Sequence, residues 1–262
     1  MSGQIAVVTG AASGIGRAIA TRLAKSCSAV ALVDMDERVR EVAVEIAVNS
    51  QAKAVPFVGS ATDPQFRKAV FDEMTKQHGV PTICVPAAGI TRDGLAVKID
   101  KETGEPQLYP QADFELVLSV NLTAPVYWAM ETIARIAKAH GKWTPGDALR
   151  GSVVFIGSVS SQGNKGQVSY SATKRALVAV AATLTSEGMF YGVKCGVVHP
   201  GFTETPMVKK MKPEIIEKGV LPATQMKRLI EPEEIAEAVC FMASNPMVTG
   251  EIWVDAGWHP SP

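Results

Sequence analysis

The segment IAVVTGAASGIG, Ile5–Gly16, joins a short apolar run to a glycine-rich turn that opens a helical pattern. The run Ile5–Thr9 has the length and the β-branched composition of a buried strand, and Gly14–Lys25 has the apolar spacing of a helix. Three glycines in the turn allow a tight reversal, a close approach of backbone to a ligand, and close packing of the helix on the strand. The segment therefore predicts the start of a β-α-β unit.

Short apolar runs alternate with helical patterns along the rest of the chain. We predict strands at Val30–Val33, Ala54–Val58, Thr82–Val85, Ser152–Ile156, Lys194–Val198 and Glu251–Val254, and helices at Arg38–Val48, Pro64–Gln77, Asp113–Ala139, Val168–Glu187 and Pro232–Ala243. Continuous apolar strands joined by helices indicate a parallel sheet that is covered on both faces. Right-handed crossovers then give a Rossmann-type, doubly wound α/β sheet of about seven strands. Residues 1–262 contain no repeat or linker, so we expect one domain.

Three local features modify this pattern. Pro56 lacks the N–H of a ladder hydrogen bond, so its strand is expected at an edge of the sheet or in an irregular position. Pro125 is expected to interrupt the long helix in its first third. The segment Lys98–Pro110 predicts a hairpin turn around its Lys-Glu-Thr-Gly-Glu centre, and a metal loop formed by its acidic side chains is the less favoured alternative.

Composition and charge disfavour several classes of function. The chain has 262 residues, of which 47% are hydrophobic, so it can bury a large core. Lys and Arg total 26, as do Asp and Glu, so no net basic charge favours nucleic acid or a membrane surface. Four scattered cysteines and four scattered histidines favour buried reduced thiols and no metal site. The early apolar run and the lack of a long apolar stretch lead us to expect a soluble, cytoplasmic protein.

An acidic residue ends the second predicted strand. Asp34 lies eighteen residues after Gly16, where a carboxylate can accept hydrogen bonds from both hydroxyls of an adenosine ribose. The same carboxylate repels a 2′-phosphate, and Met35 supplies no compensating cation. Asp34 could instead cap the next helix, although Asp36 is better placed for that, and the glycine turn could be an ordinary strand-to-helix connection. Together these features favour NAD(H) over NADP(H).

A second constellation lies between Ser158 and Lys174. Tyr170 and Lys174 are four residues apart, so a helix places both side chains on one face. Ser158 precedes Tyr170 by twelve positions, across a Gly- and Ser-rich stretch that is typical of a loop. From the residues alone, this is either a catalytic group or a surface Tyr-Lys pair beside a turn-forming serine.

Taken with the motif YSATK, the glycine spacing resembles that of the classical short-chain dehydrogenase/reductase family. The resemblance extends from Gln4 to Gly257, with PAAG at 86–89, SVNLTA around Asn121 and HPGFTETPM after the sixth strand. It implies hydride transfer between a nicotinamide and a small secondary alcohol or ketone. It also implies a homotetramer.

The resemblance assigns a role to each residue of a catalytic set, Asn121, Ser158, Tyr170 and Lys174. Tyr170 is the implied general acid in reduction and base in oxidation, and Lys174 and the oxidised nicotinamide would favour its phenolate. Ser158 would hold and polarise the substrate oxygen, and Asn121 would bind a water that relays protons. Asn121 also begins a glycosylation sequon, which the expected absence of a signal peptide disfavours. The implied cofactor-binding residues are Gly10, Ser13, Gly14, Ile15, Gly16, Asp34, Ser60, Ala61, Ala88, Gly89, Tyr170, Lys174, Pro200, Gly201, Thr203 and Thr205.

The chain departs from the family's pattern near these residues. Pro86–Ala87 replaces two asparagines, which implies a differently braced central strand. Ser60 replaces an acidic or amide residue, so the contact with adenine is expected to be mostly through backbone. The interval Ser158–Tyr170 is one residue short, so either Ser158 keeps its place in a tighter loop or Ser160 replaces it. We expect Ser158 to keep its place.

The substrate is left open by the sequence. The segment 203–229 mixes apolar residues with lysines and is expected to cover the substrate, although an amphipathic surface helix fits the pattern equally well. An NAD(H)-linked alcohol dehydrogenase or ketoreductase is the favoured function. A 3-oxoacyl thioester reductase is the alternative, because the motifs resemble that branch, but the branch mostly uses NADP(H). The third possibility is a non-catalytic regulatory protein that binds a dinucleotide. The presence of all four catalytic residues disfavours it.

Two segments carry the expectation of an assembly. The helix around 175–184 has little polar face, which predicts burial against another subunit. The C-terminal Trp258 and His259 are expected to reach a neighbouring subunit.

Overall fold

A seven-stranded parallel sheet forms the centre of the computed structural model, which describes residues 3–258. The strands are β1 (Ile5–Thr9), β2 (Ala29–Asp34), β3 (Lys53–Val58), β4 (Ile83–Pro86), β5 (Val97–Ile99), β6 (Pro106–Leu108), β7 (Gly151–Ile156), β8 (Val193–Pro200) and β9 (Gly250–Val254). The large sheet has the order β3-β2-β1-β4-β7-β8-β9, and β5 and β6 form a separate antiparallel hairpin. The predicted Rossmann-type fold and the hairpin are both confirmed.

The helices cover both faces of the large sheet. They are α1 (Gly14–Ala24), α2 (Val39–Asn49), α3 (Pro64–Gln77), α4 (Gln111–Leu118), α5 (Ala124–His140), α6 (Val168–Gly188), α9 (Pro232–Ser244) and the single-turn α7 (Pro213–Ile215) and α8 (Leu221–Ala223). Short 3-10 turns span Val159–Gln162, Met189–Tyr191 and Val208–Lys210, and π-helical turns span Ser119–Thr123 and Ile216–Val220. Apolar residues of α1, α2 and α9 pack on one face, and those of α3, α5 and α6 pack on the other.

Successive strand residues belong to two different cores. Val8 of β1 packs with Leu23 of α1 on one face, whereas its neighbour Val7 belongs to the cluster of Phe71 and Trp128 on the other. All of these side chains are buried. Each contributes ~1.5–3 kcal/mol by leaving water, and this burial on both faces explains the continuous apolar runs of the sequence.

The long central helix differs from its prediction. It begins at Gln111, and its interruption is the π-helical turn Ser119–Thr123 rather than a break at the proline. Pro125 instead occupies the first turn of α5. Because proline has no N–H, it cannot donate to the carbonyl of Asn121 four residues earlier, and the helical hydrogen-bond pattern shifts just before it. Pro56 lies in the edge strand β3, as predicted.

The strand order reverses between β1 and β4, the point at which doubly wound sheets bind ligands beyond the carboxyl ends of their strands. The turn after β1, the end of β2 at Asp34, and Ser158 after β7 all lie at this edge. The topology therefore brings the predicted site residues together from distant parts of the sequence. Within residues 3–258, none of the helices is both long and apolar enough to cross a bilayer. His259, expected at a subunit contact, lies outside the described residues.

Candidate functional site

A cleft of about 460 Å³ opens at the carboxyl edge of the sheet. It is lined by every residue that was expected to bind the cofactor, together with Ser158. Asn121 is the exception among the site residues, since it is fully buried behind the cleft wall. The predicted site is therefore contiguous in space, with Asn121 one layer behind it.

The glycine turn forms one end of the cleft. Gly10 has a left-handed φ of 71°, and a Cβ there would lie 2.9 Å from the Ala88 backbone. A Cβ on Gly16 would overlap the carbonyl of Gly10, so helix α1 can approach β1 only without a side chain at that position. The N-terminus of α1, with Ser13 before it, lines the cleft and offers N–H groups and a positive dipole end. This cradle fits a pyrophosphate.

The carboxylate of Asp34 is held by backbone on both oxygens. Its Oδ2 accepts a hydrogen bond from the N–H of Ala12 at 2.9 Å, and its Oδ1 accepts from the N–H of Asp36 at 3.0 Å. Asp36 in turn accepts from the N–H of Arg38 at 2.9 Å and pairs with its guanidinium at 2.6 Å. Asp34 is thus fixed at the cleft wall with lone pairs remaining for a ligand, and Arg38 is engaged by Asp36.

The polar groups of the expected adenine pocket form hydrogen bonds with other groups of the protein. The hydroxyls of Ser60 and Thr62 lie 2.8 Å apart and share a hydrogen bond. The carbonyl of Ala61 accepts from the indole N–H of Trp128 at 2.8 Å. These contacts fix the backbone around Ala61, which is consistent with the expected backbone contact to adenine.

Two hydrogen-bonded pairs brace the central strand where the usual asparagines are absent. The hydroxyl of Thr9 accepts from the N–H of Ala88 at 3.0 Å. The amide of Asn121 binds Ile90 at both ends, accepting from its N–H at 2.9 Å and donating to its carbonyl at 2.8 Å. Gly89 lies between these braces, and a Cβ on it would be 3.8 Å from the ammonium of Lys174. Asn121 therefore positions the segment that faces Lys174.

The three polar side chains of the expected chemistry meet at the end of β7. Ser158 and Tyr170 both line the cleft, and the hydroxyl of Ser158 acts to lower the pKa of the Tyr170 phenol. The ammonium of Lys174 donates to the carbonyl of Ile156 at 2.8 Å and lies 5.4 Å from the centre of the Tyr170 ring. Residues from a strand end and the first two turns of α6 thus form one polar cluster in the cleft.

Burial controls the protonation of this cluster. It raises the pKa of Tyr170 above its usual value, the hydrogen bond from Ser158 opposes this, and the charge of Asp93 adds to it. Burial also lowers the pKa of Lys174 to about 8. In the protein alone, burial is the largest influence on the pKa of the Tyr170 phenol. Tyr170 is therefore a neutral phenol at neutral pH.

The shortened interval before Tyr170 leaves Ser158 in place. Ser158 caps the 3-10 turn Val159–Gln162, and its hydroxyl oxygen accepts from the N–H of Ser160 at 3.1 Å. The hydroxyl of Ser160 instead accepts from the amide of Asn164 at 3.2 Å. The loop has tightened into the 3-10 turn, and Ser158 rather than Ser160 is the serine that acts on the pKa of Tyr170.

Several residues of the cleft were not identified from the sequence. Asp93 and Gln167 line it and are joined by a 3.2 Å hydrogen bond. By contrast, the apolar wall formed by Met207, Val208 and Met211 belongs to the segment 203–229 that the sequence led us to expect over the substrate. In the sequence, the one indication that Asp93 belongs to the site is its closeness to Gly89 in the motif PAAGITRD.

The acidic hairpin turn is closed by its own hydrogen bonds. Asp100 accepts from the N–H groups of Glu102 and Thr103, both at 2.9 Å, and this backbone contact lowers the pKa of its carboxyl group. Among residues 3–258, no three His, Cys, Asp or Glu side chains are grouped in a way that could hold a metal ion.

The fold and the cleft are those of a Rossmann-type dinucleotide-binding protein. Comparison with known families matches residues 10–259 to the family described as Enoyl-(Acyl carrier protein) reductase. The chain is 30% identical to the 3-oxoacyl-(acyl-carrier-protein) reductase FabG of Thermotoga maritima, over 98% of each chain. It is 33% identical to the acetoacetyl-CoA reductase of Synechocystis sp., over 98% of this chain and 96% of the relative. It is 28% identical to the human (3R)-3-hydroxyacyl-CoA dehydrogenase, over 92% of this chain and 88% of the relative.

The chain belongs to the short-chain dehydrogenase/reductase family. It is an oxidoreductase that acts on a CH–OH group or a ketone and uses a nicotinamide cofactor. The resemblance seen in the sequence motifs is confirmed.

Proposed function

We propose that the protein is an NAD(H)-dependent oxidoreductase that interconverts 3-oxoacyl and 3-hydroxyacyl thioesters. The observation that carries this proposal is the cluster of Ser158, Tyr170 and Lys174 beside a dinucleotide-shaped cleft. A 3-oxoacyl thioester is itself a ketone. The proposal therefore narrows the ketoreductase function favoured by the sequence to the 3-oxoacyl thioester reductase that was its alternative. FabG, acetoacetyl-CoA reductase and 3-hydroxyacyl-CoA dehydrogenase are all named for an oxygen function at the third carbon of an acyl thioester.

The bound nicotinamide supplies or accepts the hydride. In reduction, the neutral phenol of Tyr170 donates its proton to the substrate oxygen, and the hydroxyl of Ser158 donates a hydrogen bond to the same oxygen. The raised pKa of Tyr170 keeps the phenol protonated at neutral pH, which is the form that this acid role requires. Lys174 places a cation beside the phenolate that remains and binds the nicotinamide ribose. Asn121 holds the Ile90 segment and contributes to a water path through which the proton is replaced.

Asp34 supports the choice of NAD(H). Two backbone N–H groups fix its carboxylate at the cleft wall, ready to accept from ribose hydroxyls. Among the described residues that line the cleft, Lys174 is the only Lys or Arg, and it lies in the Tyr170 cluster rather than beside Asp34. A 2′-phosphate near Asp34 would therefore meet the negative charge of that carboxylate, and the nearby guanidinium of Arg38 is already paired with Asp36.

The apolar wall supports an acyl substrate. Met207, Val208 and Met211 line the cleft, and they belong to the segment 203–229 that we propose covers the substrate. Met207 is 41% exposed, so an acyl chain can bury apolar surface there.

The outer helices support an assembly of identical subunits. Tyr127 and Met130 of α5 are 49% and 46% exposed, and the outer face of α6 carries exposed alanines at positions 172, 179 and 182. We propose a homotetramer that forms through these faces, and a cytoplasmic location. A light-scattering mass equal to four chains is the expected result, and a mass equal to one chain would contradict the assembly.

The function is tested by a spectrophotometric panel. The purified chain is assayed for NADH or NADPH oxidation with acetoacetyl-CoA, simple ketones and a thioester that lacks the 3-oxo group. We expect turnover with acetoacetyl-CoA and NADH, and none with the thioester that lacks the ketone. Faster turnover of simple ketones than of acetoacetyl-CoA would contradict the proposed substrate class.

A further inference from the structure

His199 lies directly behind the turn that carries Ser158. Its side chain is fully buried, and its Nδ1 lies 3.2 Å from the backbone N of Ser158 and 3.1 Å from the Ser158 carbonyl oxygen. The hydroxyl of Ser161 is 3.4 Å from the same nitrogen. One imidazole nitrogen therefore faces both backbone groups of the serine.

The other ring nitrogen faces a carboxylate. Nε2 of His199 lies 3.0 Å from Oε2 of Glu251 on the neighbouring strand β9. Nε2 makes no hydrogen bond within residues 3–258, so its contact with Glu251 is mainly electrostatic. The indole of Trp253 stacks on the ring with centroids 4.1 Å apart and planes 12° apart. The ring is thereby fixed in its plane with one nitrogen directed to each neighbour.

This arrangement selects one proton position on a neutral imidazole. With the proton on Nε2, the ring presents N–H to Glu251 and a lone pair to the N–H of Ser158. With the proton on Nδ1, the ring could donate to the Ser158 carbonyl at 3.1 Å, but its Nε2 lone pair would face the full charge of the Glu251 carboxylate at 3.0 Å, which is repulsive. Burial lowers the pKa of His199 and Lys174 adds to this, while the Ser158 carbonyl and Glu251 oppose it, so the ring is neutral at neutral pH.

We propose that His199 is a positioning residue for Ser158, and that Glu251 holds it in the Nε2–H form whose Nδ1 accepts from the Ser158 backbone. Gly157 makes the contact possible, because a Cβ there would overlap the ring nitrogen. The pair fixes Ser158 from β8 and β9, independently of the shortened loop that follows it. This explains how the loop tightens without displacing the serine.

Nitrogen NMR tests the proton position without any assay of activity. Protein labelled with ¹⁵N-histidine contains four imidazoles, and the His199→Asn variant identifies the signals of this one. At neutral pH we expect a neutral ring with the proton on Nε2. In Glu251→Gln, at a side chain that is 32% exposed, we expect the Nδ1–H form to appear. A ring that carries its proton on Nδ1, or on both nitrogens, in the unsubstituted protein would overturn the proposal.

A matched pair of variants tests the effect on Ser158. The oxygen of an asparagine at 199 reaches the position of Nδ1, whereas the amide of a glutamine reaches that of Nε2. We expect His199→Asn to keep kcat within about threefold and His199→Gln to lose roughly tenfold or more, with an unchanged Kd for NADH. A role in packing alone predicts the reverse order, because glutamine is closer to histidine in volume, and that order would overturn the proposal.

The inference rests on the proposed role of Ser158, and the two can fail separately. Full activity in Ser158→Ala would remove the catalytic role of that serine, whereas the NMR result for His199 would stand. If the His199 variants do not fold, replacing His78, His140 and His259 by Gln leaves His199 as the one labelled imidazole, and the effect of Glu251→Gln on its spectrum decides the proposal.

Discussion

Asp34 gives the sharpest prediction about the cofactor. The substitution Asp34→Asn removes one negative charge from the cleft wall. An amide has one oxygen, so it can replace only one of the acceptors that now bind the N–H groups of Ala12 and Asp36. We therefore expect NADH to bind more weakly to the variant, and the 2′-phosphate of NADPH to be repelled less strongly.

The size of the effect follows from the position of the carboxylate. Two like unit charges about 6 Å apart repel by ~3 kcal/mol at an effective dielectric constant of ~20. Asp34 is only partly buried, so solvent screening reduces this to ~1.5–3 kcal/mol. Since 1.4 kcal/mol corresponds to a factor of ten, the natural protein should prefer NADH by roughly 10- to 100-fold.

The assay measures kcat/KM for NADH and NADPH with acetoacetyl-CoA, and binding of both cofactors by calorimetry. The preference should fall by about tenfold in Asp34→Asn. It should stay unchanged in Glu41→Gln, which makes the same change of charge at an exposed site outside the cleft. An equal or greater kcat/KM for NADPH in the unsubstituted protein would refute the reasoning.

Two further predictions concern single residues. Ser158→Ala should lower kcat by roughly 10²–10³ because the substrate oxygen loses a donor, whereas Ser160→Ala should stay within about threefold; equal losses would contradict the assignment. The buried ammonium of Lys194 donates to the carbonyls of Met242, Asn245 and Val248 at 2.5, 2.6 and 2.7 Å. Lys194→Met should therefore lower the free energy of unfolding by ~3 kcal/mol and Tm by ~6–12 °C. Calorimetry should show almost no change for the control Lys68→Met, an exposed helix pair, and an equally small change for Lys194→Met would contradict this account.

The sheet could be predicted from the sequence because its strands are buried on both faces. Burial on both faces demands continuous apolar runs, and the strand at Ile5–Thr9 has the same bounds in the structure. The edge position of β3 could be predicted from Pro56, because a residue without an N–H cannot donate a hydrogen bond to a neighbouring strand. The interruption of the long helix was misplaced, because Pro125 disrupts the hydrogen bonds of the turn before it rather than its own position.

The grouping of the candidate site residues at one edge of the sheet could be predicted where they lie at the ends of strands, as Asp34 and Ser158 do. The protonation state of the site could not be predicted from the sequence, because the pKa of Tyr170 depends on burial by elements that lie far apart in the chain. Lys194 and His199 were overlooked for the same reason. Each is a polar residue in a buried strand, and its partners come from α9, β9 and the loops beside them.

The substitution Tyr170→Phe tests the central claim most directly, because it removes one oxygen and leaves the ring in place. Turnover of acetoacetyl-CoA and the fluorescence of bound NADH are measured on the same preparation. The account predicts that turnover falls by at least roughly 10²–10⁴, with the Kd for NADH within about twofold of its original value. Turnover within tenfold of that of the unsubstituted protein would contradict the assignment of Tyr170 as the group that transfers the proton.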